Sequence, residues 1–322
     1  MKEFTIGQND AGQRLDRFLA KAVPLLPASL AQKYIRIKRI KCNGKRIDRD
    51  TRLQEGDVLQ LYINDEFFDN PREDNAYLTV ANPNLNIVYE DENILLVDKP
   101  VGMVVHEDES GDSDTLINRI KSYLYRKGEY HPENELSFAP ALCNRIDRNT
   151  CGIVIAAKNA ESLRILNQKI RDRELTKLYL CIACGKVTPD SATLTAYLEK
   201  NSDTNTVKIS DKKTKSNLTI KTKYKVIAYN GENSLLKVDL LTGRTHQIRA
   251  HLAYIGHALL GDGKYGNNKL NKKYGFKYQT LCSYELQFKC TTDAGCLSYL
   301  DGKCFKAKAP DFVKMFGGNI KL

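Results

Sequence analysis

An acidic segment with two prolines divides the chain into two parts of opposite character. Residues 64–84 read NDEFFDNPREDNAYLTVANPN and hold five acids against a single arginine. This composition disfavours a packed helix or strand and indicates an extended linker that repels nucleic acid. The 322 residues are enough for about two domains. We therefore predict a small domain over residues 1–66, an acidic linker over 67–84 and a larger domain over 85–322.

The first domain has the pattern of two helices followed by a hairpin. Apolar residues recur near helical spacing in RLDRFLAKAV, and a second helix is predicted in PASLAQKYIRI with Ser29 as its N-cap. Asn43 and Gly44 then lie between two short alternating segments. This dipeptide predicts a type I′ hairpin, because both turn positions need positive φ.

Basic residues are concentrated in the second helix and the hairpin of this domain. Positions 33–49 hold eight of them against one acid, Asp48, and the whole chain carries a formal charge of +11. A solvated helix face is one interpretation; contact with RNA phosphates is the other, and the shared charge of helix and hairpin favours it. We expect the linker to let this domain dock on RNA at a distance from the rest of the chain. The predicted RNA contacts are Lys33, Arg36, Lys38, Arg39, Lys41 and Lys45, and the remaining two basic residues are Arg46 and Arg49.

The second part alternates strand and helix patterns without a regular rhythm. NIVYEDENILLVDKP indicates two short strands around an acidic turn, and CGIVIAAKN an apolar strand that leads into a helix over AESLRILNQKIRDREL. In TKLYLCIACGKV, Tyr179 and Cys181 alternate with Leu180 and Ile182, and THQIRAHLAYIG predicts a further helix. Mixed elements without an internal repeat or βαβ period indicate an α+β fold.

One carboxylate stands between two guanidinium groups in CNRIDRNTCG. Asp147 lies two residues after Arg145 and directly before Arg148. A capping carboxylate in a local salt bridge is the ordinary explanation. Alternatively, adjacent positive charge keeps the carboxylate ionised in a closed cleft, where burial alone would raise its pKa. Such a carboxylate can serve as a nucleophile or base, and the spacing alone does not say which.

Several kinds of chemistry have no signature in the sequence. There is no G-x-x-x-x-G-K-[ST] loop, no G-x-G-x-x-G after a strand and no zinc-deaminase motif. Cys181 and Cys184 form a C-x-x-C, but residues three apart in a strand point to opposite faces. We therefore expect no metal and no cofactor.

The location of the protein is predicted from its apolar runs and its cysteines. The apolar runs are far shorter than the roughly 20 residues that span a bilayer, so no membrane partner is expected. The N-terminal MKEFTIGQND lacks the apolar region of a secretion signal. Nine cysteines in such a chain fit reduced thiols, and so we expect a cytoplasmic protein without disulfides.

Five blocks of the second part occur in an order shared with one enzyme family. They are NILLVDKPVGMVVH, NRIDRNTCGIVIAAKN, KLYLCIACG, LLTGRTHQIRAHLAYIGHALLGDGKYG and FKAKAPDF. These blocks resemble those of the RluA-type pseudouridine synthases of large-subunit ribosomal RNA, and the second resembles their H-R-L-D-R-x-T-S-G-L signature. The first domain resembles the S4 RNA-binding domain that many members carry. The resemblance covers nearly the whole chain.

The resemblance implies a fold, a reaction and a set of site residues. It implies a mixed, largely antiparallel sheet flanked by helices and loops, and cofactor-free isomerisation of specific uridines in RNA to pseudouridine. Asp147 would be the essential catalytic residue, Arg249 would pair with it, and Tyr179 would stack on the uracil and assist proton removal. Leu260 would form an apolar wall beside the base, and Arg145 would occupy the space that the extruded base leaves. The implied substrate-binding residues of this domain are Arg145, Arg244, His246 and Leu260.

The chain departs from the family signature at several positions. Asn144 stands where His is usual, Asn149 where Asp is common and Cys151 where Ser is usual, and a Gly-Lys pair at 263–264 interrupts a G-D-P. These departures indicate a divergent branch, so neither the target uridine nor the choice of ribosomal over transfer RNA follows from them. The alternative function is a non-catalytic RNA-binding or ribosome-assembly protein with a vestigial site. Retention of the Asp, Tyr and Arg favours the enzyme, and a monomer is expected.

Overall fold

The computed structural model describes residues 1–68, 76–80, 83–107, 113–201, 204–317 and 320–322. Residues 69–75 and 81–82 of the predicted acidic linker lie outside the described residues. A short 3-10 turn at Ala76–Thr79 lies within this linker, and another at Asp65–Phe68 overlaps its start. In the described ranges, no helix combines the length and the apolar character that a membrane crossing needs.

A four-stranded antiparallel sheet and two helices form the N-terminal domain. Its elements are β1 (Lys2–Thr5), α1 (Leu15–Ala22), α2 (Ala28–Arg36), β2 (Ile40–Cys42), β3 (Lys45–Arg46) and β4 (Val58–Leu61). The strand order is β1-β4-β2-β3. Asn43 and Gly44 both have positive φ, 50° and 74°, which confirms the predicted hairpin turn. The prediction of Ser29 as an N-cap is wrong, because α2 begins one residue earlier and Pro27 holds the N-cap position.

The second domain is built on one large mixed sheet. Its strands are β5 (Ile87–Glu90), β6 (Ile94–Lys99), β7 (Ala141–Leu142), β8 (Cys151–Ala157), β9 (Leu175–Cys184), β10 (Ser191–Asn201), β11 (Thr206–Ser210), β12 (Leu218–Tyr229), β13 (Asn233–Asp239), β14 (Leu281–Phe288) and β15 (Cys304–Lys306). The order is β11-β10-β12-β13-β9-β14-β8-β6-β5, with β7 on β8 and β15 on β14. Of the strand pairs described, β8 and β14 alone run parallel. The expected α+β fold with a largely antiparallel sheet is therefore confirmed.

The two faces of this sheet carry separate apolar clusters. Tyr179 and Cys181 of β9 pack on one face, and Leu180 and Ile182 on the other, as the alternation in the sequence predicts. The helices are α3 (Leu116–Lys127), α4 (Ala160–Arg171), α5 (Gln247–Tyr254) and α6 (Asn268–Tyr274). Helices α3 and α5 cover the face of Tyr179, and α4 packs behind β8 on the opposite face. The candidate site lies on the first face, where α5 meets the loop before β8.

The N-terminal domain is seated directly on the second domain. Leu136, from the loop between α3 and β7, packs against the apolar core of the N-terminal domain. Residues 9–13 also form hydrogen bonds with residues 135–137 and with α4. This arrangement differs from the expected docking at a distance, because contacts between residues far apart in the sequence hold the two domains together.

Candidate active site

Asp147 lies in the loop that joins β7 to β8. Its backbone carbonyl accepts a hydrogen bond from the Thr150 amide at 3.0 Å, which closes a tight turn. Gly152 follows with a φ of 106°, and a Cβ at this position would collide with the backbone of Ser283 on β14. The side-chain oxygen of Asn144 accepts a hydrogen bond from the Ile155 amide at 2.8 Å. This contact fixes the start of the loop, and it explains how asparagine serves at a position where the signature has histidine.

Arg249 of α5 is the direct partner of Asp147. Its Nη1 lies 2.8 Å from Asp147 Oδ2, while its Nε and Nη2 donate to Asp262 Oδ2 and Oδ1 at 2.7 and 2.9 Å. One guanidinium therefore joins a fully buried carboxylate, Asp262, to one that is partly exposed, Asp147. Burial lowers the pKa of Arg249, but the bonds and charges of the two aspartates outweigh it and raise the pKa overall. The arginine is permanently charged, and its orientation is fixed.

Asp262 is the anchor of this arrangement. In addition to Arg249, its Oδ1 accepts hydrogen bonds from the amides of Lys264 and Tyr265 at 2.8 and 3.1 Å. Burial raises the pKa of Asp262, but the Arg249 bonds and charge outweigh burial and hold the pKa below its usual value. No role was predicted for this residue from the sequence, although it is the acid of the interrupted G-D-P, 13 residues beyond Arg249.

His246 approaches Asp147 from the N-terminal end of α5. Its φ of 52° turns the chain into the helix, and its Nε2 lies 3.8 Å from Asp147 Oδ2. Its Nδ1 lies 3.0 Å from the Tyr265 hydroxyl, whose oxygen accepts a hydrogen bond from the Val207 amide. That hydroxyl can then donate to Nδ1, which places the ring hydrogen on Nε2, toward the carboxylate. Burial lowers the pKa of His246, which favours a neutral ring.

Tyr179 contributes a buried phenol to the same face. It lies on β9 and is 5% exposed. Burial raises its pKa to about 12; a hydrogen bond with Ser283 acts in the opposite direction, and the charge of Asp147 raises the pKa further. Tyr179 is therefore protonated at neutral pH, so it can stack on a base and donate a hydrogen bond, but as a phenol it is a poor proton acceptor.

Lys99 holds the backbone that follows Asp147. The lysine is fully buried, and its Nζ donates to the carbonyl oxygens of Pro100, Met103 and Arg148 at 2.8 to 2.9 Å. Burial lowers its pKa to about 8, which still leaves the ammonium form predominant at pH 7. Three donor hydrogens thus serve three carbonyls and fix the loop on which Asp147 is carried. The lysine lies within the first of the five sequence blocks, but nothing in the sequence alone pointed to this role.

The arginines next to Asp147 in the sequence are not its partners in the structure. Arg145 and Arg148 are exposed, and the Arg148 Nε donates to the Gly102 carbonyl at 3.3 Å. The contacts described for Asp147 come instead from the Arg249 guanidinium, which forms an ion pair, and from the His246 ring. The flanking arginines are therefore not the ion-pair partners of Asp147, since both side chains are exposed and Arg249 takes that position. Arg244 is also exposed, at the turn before α5.

The structure contradicts the role given to Leu260. Its side chain is completely buried and packs with Leu180 and Ile182, on the face of the sheet opposite Tyr179. Its neighbour Leu259 lies in the cluster that contains Tyr179. Leu260 has no surface available to a base, because adjacent residues of an extended segment point to opposite faces.

A cleft in the N-terminal domain lies between α2 and residues 46–50, and two of the predicted RNA contacts, Lys33 and Arg36, line it. Lys33, Arg36, Lys38, Arg39 and Lys45 are exposed, and Lys41 is half-buried beside the ring of Tyr62. The cleft has a volume of about 480 Å³. Its charged lining is Lys33, Arg36, Arg46, Asp48, Arg49 and Asp50. This surface is separate from the site around Asp147.

Family models match both domains. The model of the RNA pseudouridylate synthase family matches residues 93–254, and that of the S4 domain matches residues 13–59. These matches include the loop of Asp147, strand β9 and all of α5. They end before Asp262.

Similar proteins match over nearly the full length. A protein of Mycoplasma genitalium described as an uncharacterized RNA pseudouridine synthase is 33% identical over 293 residues, which cover 89% of this chain and 88% of the relative. A ribosomal large subunit pseudouridine synthase C of Haemophilus ducreyi is 32% identical over 293 residues, which cover 89% of this chain and 87% of the relative. The solved structure of human RNA pseudouridylate synthase domain containing 4 shares the fold, with a TM-score of 0.56 at 20% identity over 71% of this chain and 90% of that chain.

Proposed function

Because the chain belongs to the RNA pseudouridylate synthase family, we propose that it converts specific uridines of large-subunit ribosomal RNA to pseudouridine. The observation that carries this proposal is the ion-pair chain Asp147–Arg249–Asp262, with Tyr179 on the same face of the sheet. It presents one partly exposed carboxylate at the mouth of an otherwise buried site. The relatives named ribosomal large subunit pseudouridine synthase C support the choice of RNA. A ribosomal substrate also agrees with a cytoplasmic protein, and we propose that it acts as a monomer.

The proposed reaction is an isomerisation and needs no other reactant. The bond between C1′ and N1 breaks, the uracil turns, a bond from C1′ to C5 forms, and the hydrogen of C5 is exchanged for one on N1. The Asp147 carboxylate supplies the electron pair that acts as nucleophile or base, and Arg249 holds this carboxylate in position. The target base must first leave its stack, at a cost of a few kcal/mol, and the proposed role of the exposed Arg145 is to occupy the vacated space.

The proposed roles of Tyr179 and His246 follow from their protonation. With a pKa of about 12, Tyr179 supports the base by stacking and hydrogen bonding. His246, neutral with its hydrogen on Nε2, would help to orient Asp147. Arg244 completes the rim as a phosphate contact. The protonation and contacts of Tyr179 and His246 thus imply that the site is preorganised before RNA binds.

Mapping of pseudouridines in ribosomal RNA tests the proposed function. Cells that lack this gene are expected to lose one or more pseudouridines from large-subunit ribosomal RNA, because the isomerisation at those sites would lack its catalyst. Re-expression of the wild-type chain should restore them, and the purified protein should form them in a transcript of the same RNA. An identical map in both strains would favour the non-catalytic RNA-binding or ribosome-assembly protein.

The basic cleft of the N-terminal domain is proposed to contact RNA phosphates. Replacing Lys33 and Arg36 with glutamine should weaken binding to long structured RNA. It should also reduce the slope of log Kd against log salt by about 0.7 to 0.9 for each phosphate that is no longer neutralised, because neutralising a phosphate releases counterions. The matched control replaces Lys314 and Lys321, which are exposed in the C-terminal segment. If the slope of log Kd against log salt were the same for both variants, the cleft would be a solvated surface that does not contact RNA.

A further inference from the structure

Among the described residues, hydrogen bonds and an apolar contact join the two domains along a narrow strip. We call this strip the domain seam: residues 9–13 of the N-terminal domain, residues 135–137 of the second domain, and Ala160 and Arg164 of α4. Leu136 supplies the apolar contact, since it packs onto the core of the N-terminal domain. The residues involved are separated by more than 120 positions in the sequence. The seam therefore determines how one domain sits on the other.

The centre of the seam is a buried pair, Asp10 and Ser137. The exposed fractions of these residues are 3% and 9%. The Ser137 hydroxyl donates to Asp10 Oδ1 at 2.5 Å and accepts a hydrogen bond from Gln13 Nε2 at 2.6 Å. A small tilt of the domain would break the first bond while Asp10 stayed buried, and an unpaired buried carboxylate is costly. Partial displacement of the domain is therefore disfavoured.

The ends of the seam prevent rotation about this centre. Asn9 donates to Glu135 Oε1 at 2.6 Å and accepts a hydrogen bond from the Ala160 amide at 3.1 Å. That amide belongs to the first turn of α4, where backbone donors lack partners within the helix. Farther along α4, Arg164 Nη1 donates to the Ala11 carbonyl at 3.0 Å. Contacts on both sides of the Asp10–Ser137 pair define one orientation.

We infer that the domain seam selects the target uridine by fixing the distance between the basic cleft and Asp147. This inference rests on the proposed function. A domain held only by a linker of this length can sample separations on the order of 20 Å, and it would accept RNA of many shapes. When the domain is seated, RNA can contact the basic cleft and Asp147 at the same time only under one condition. The distance between its bound phosphates and its target base must match the distance between the cleft and Asp147. For such RNA the second contact is intramolecular, and the gain can reach about 10² to 10⁴ in affinity.

The test compares two RNAs and one seam variant. The variant combines Asn9→Ala, Gln13→Ala and Ser137→Ala, none of which touches the site around Asp147, and each domain keeps its own apolar core. The control, Gln168→Ala with Arg171→Ala, changes exposed residues of α4 outside the seam. The substrates are a ribosomal RNA domain with the mapped uridine and a short stem-loop cut from it. Single-turnover rates, sites of modification and the radius of gyration from X-ray scattering are measured for each protein.

The seam variant should have a larger radius of gyration than the wild type and the control. Its rate on the stem-loop should stay within about twofold, while its rate on the RNA domain at low enzyme concentration falls at least about tenfold. Pseudouridine should also appear at additional uridines of the RNA domain. Arg164→Ala, which removes a single bond from an exposed side chain, should shift the ratio of the two rates in the same direction by a smaller factor.

Two results would overturn the inference. An unchanged radius would show that these contacts do not hold the domain, and a larger radius with an unchanged rate ratio and site map would show that seating does not affect selection. Failure of the proposed function is distinguishable from both. In that case the wild-type chain would modify neither RNA, and the scattering measurement would still decide whether the seam holds the domains together.

Discussion

Replacing Asp147 with asparagine is expected to abolish pseudouridine formation while leaving RNA affinity nearly unchanged. The substitution removes the nucleophilic or basic electron pair and keeps the volume of the side chain. Arg249 retains both of its bonds to Asp262, so the surrounding structure should persist. Loss of an essential catalytic group of this kind reduces turnover by at least about 10⁴-fold. Single-turnover pseudouridine analysis gives the rate, and filter binding on the same RNA gives the affinity.

The matched control for this variant is Glu55→Gln. Glu55 is an exposed acid in the N-terminal domain, and its replacement changes the net charge by the same amount. The control should retain full activity, which separates the loss of a specific carboxylate from a change in overall charge. If RNA affinity collapsed along with activity in Asp147→Asn, Asp147 would be a structural residue of the loop rather than the catalytic group.

Local patterns in the sequence were sufficient for most of the fold. The Asn43–Gly44 turn, the alternation along β9 and the helix at 247–254 each depend on residues close together in the chain, and each is present in the structure. Burial periodicity indicates helices and strands before any distant contact forms. The same reasoning cannot determine which strands become neighbours. Family resemblance, rather than periodicity, supplied the expectation of a mixed sheet.

The site shows where local reasoning fails. Arg145 and Arg148 are the nearest charges to Asp147 in the sequence, yet the turn directs both to solvent and Arg249 arrives from 102 positions away. Leu259 and Leu260 are adjacent in the sequence, yet their side chains pack on opposite faces of the sheet. Sequence proximity is thus a poor guide to partners, even where the residue types are correct.

Long-range polar contacts left no recognisable pattern in the sequence. Asn9, Gln13 and Ser137 are ordinary loop residues, and their partners lie more than 120 positions away. Asp262 lies in one of the five blocks, but no local pattern shows that it is fully buried against Arg249. A single polar residue with a distant partner has no periodicity. Its role becomes visible only when the fold brings the partner close.

Replacing Asp262 with alanine is expected to cause the largest loss of stability among substitutions at this site. Arg249 would remain buried without the carboxylate that accepts two of its hydrogen bonds, and breaking a buried ion pair in this way costs about 3 to 5 kcal/mol of unfolding free energy. The amides of Lys264 and Tyr265 would also lose their acceptor. Activity should fall by at least about 10²-fold, since Arg249 would no longer hold Asp147 in one orientation. Urea denaturation and single-turnover rates measure the two effects.

A double variant separates the buried charge from the catalytic geometry. Arg249→Met with Asp262→Leu removes both buried charges and fills their volume with apolar side chains. Its unfolding free energy should recover a large part of the loss seen in Asp262→Ala, because replacing a buried pair by packed apolar residues is often close to neutral. Its activity should nevertheless be at least as low as that of Asp262→Ala, because Asp147 would have lost the guanidinium that orients it. An active double variant would show that the Asp147–Arg249–Asp262 chain contributes to folding and is not needed for the reaction.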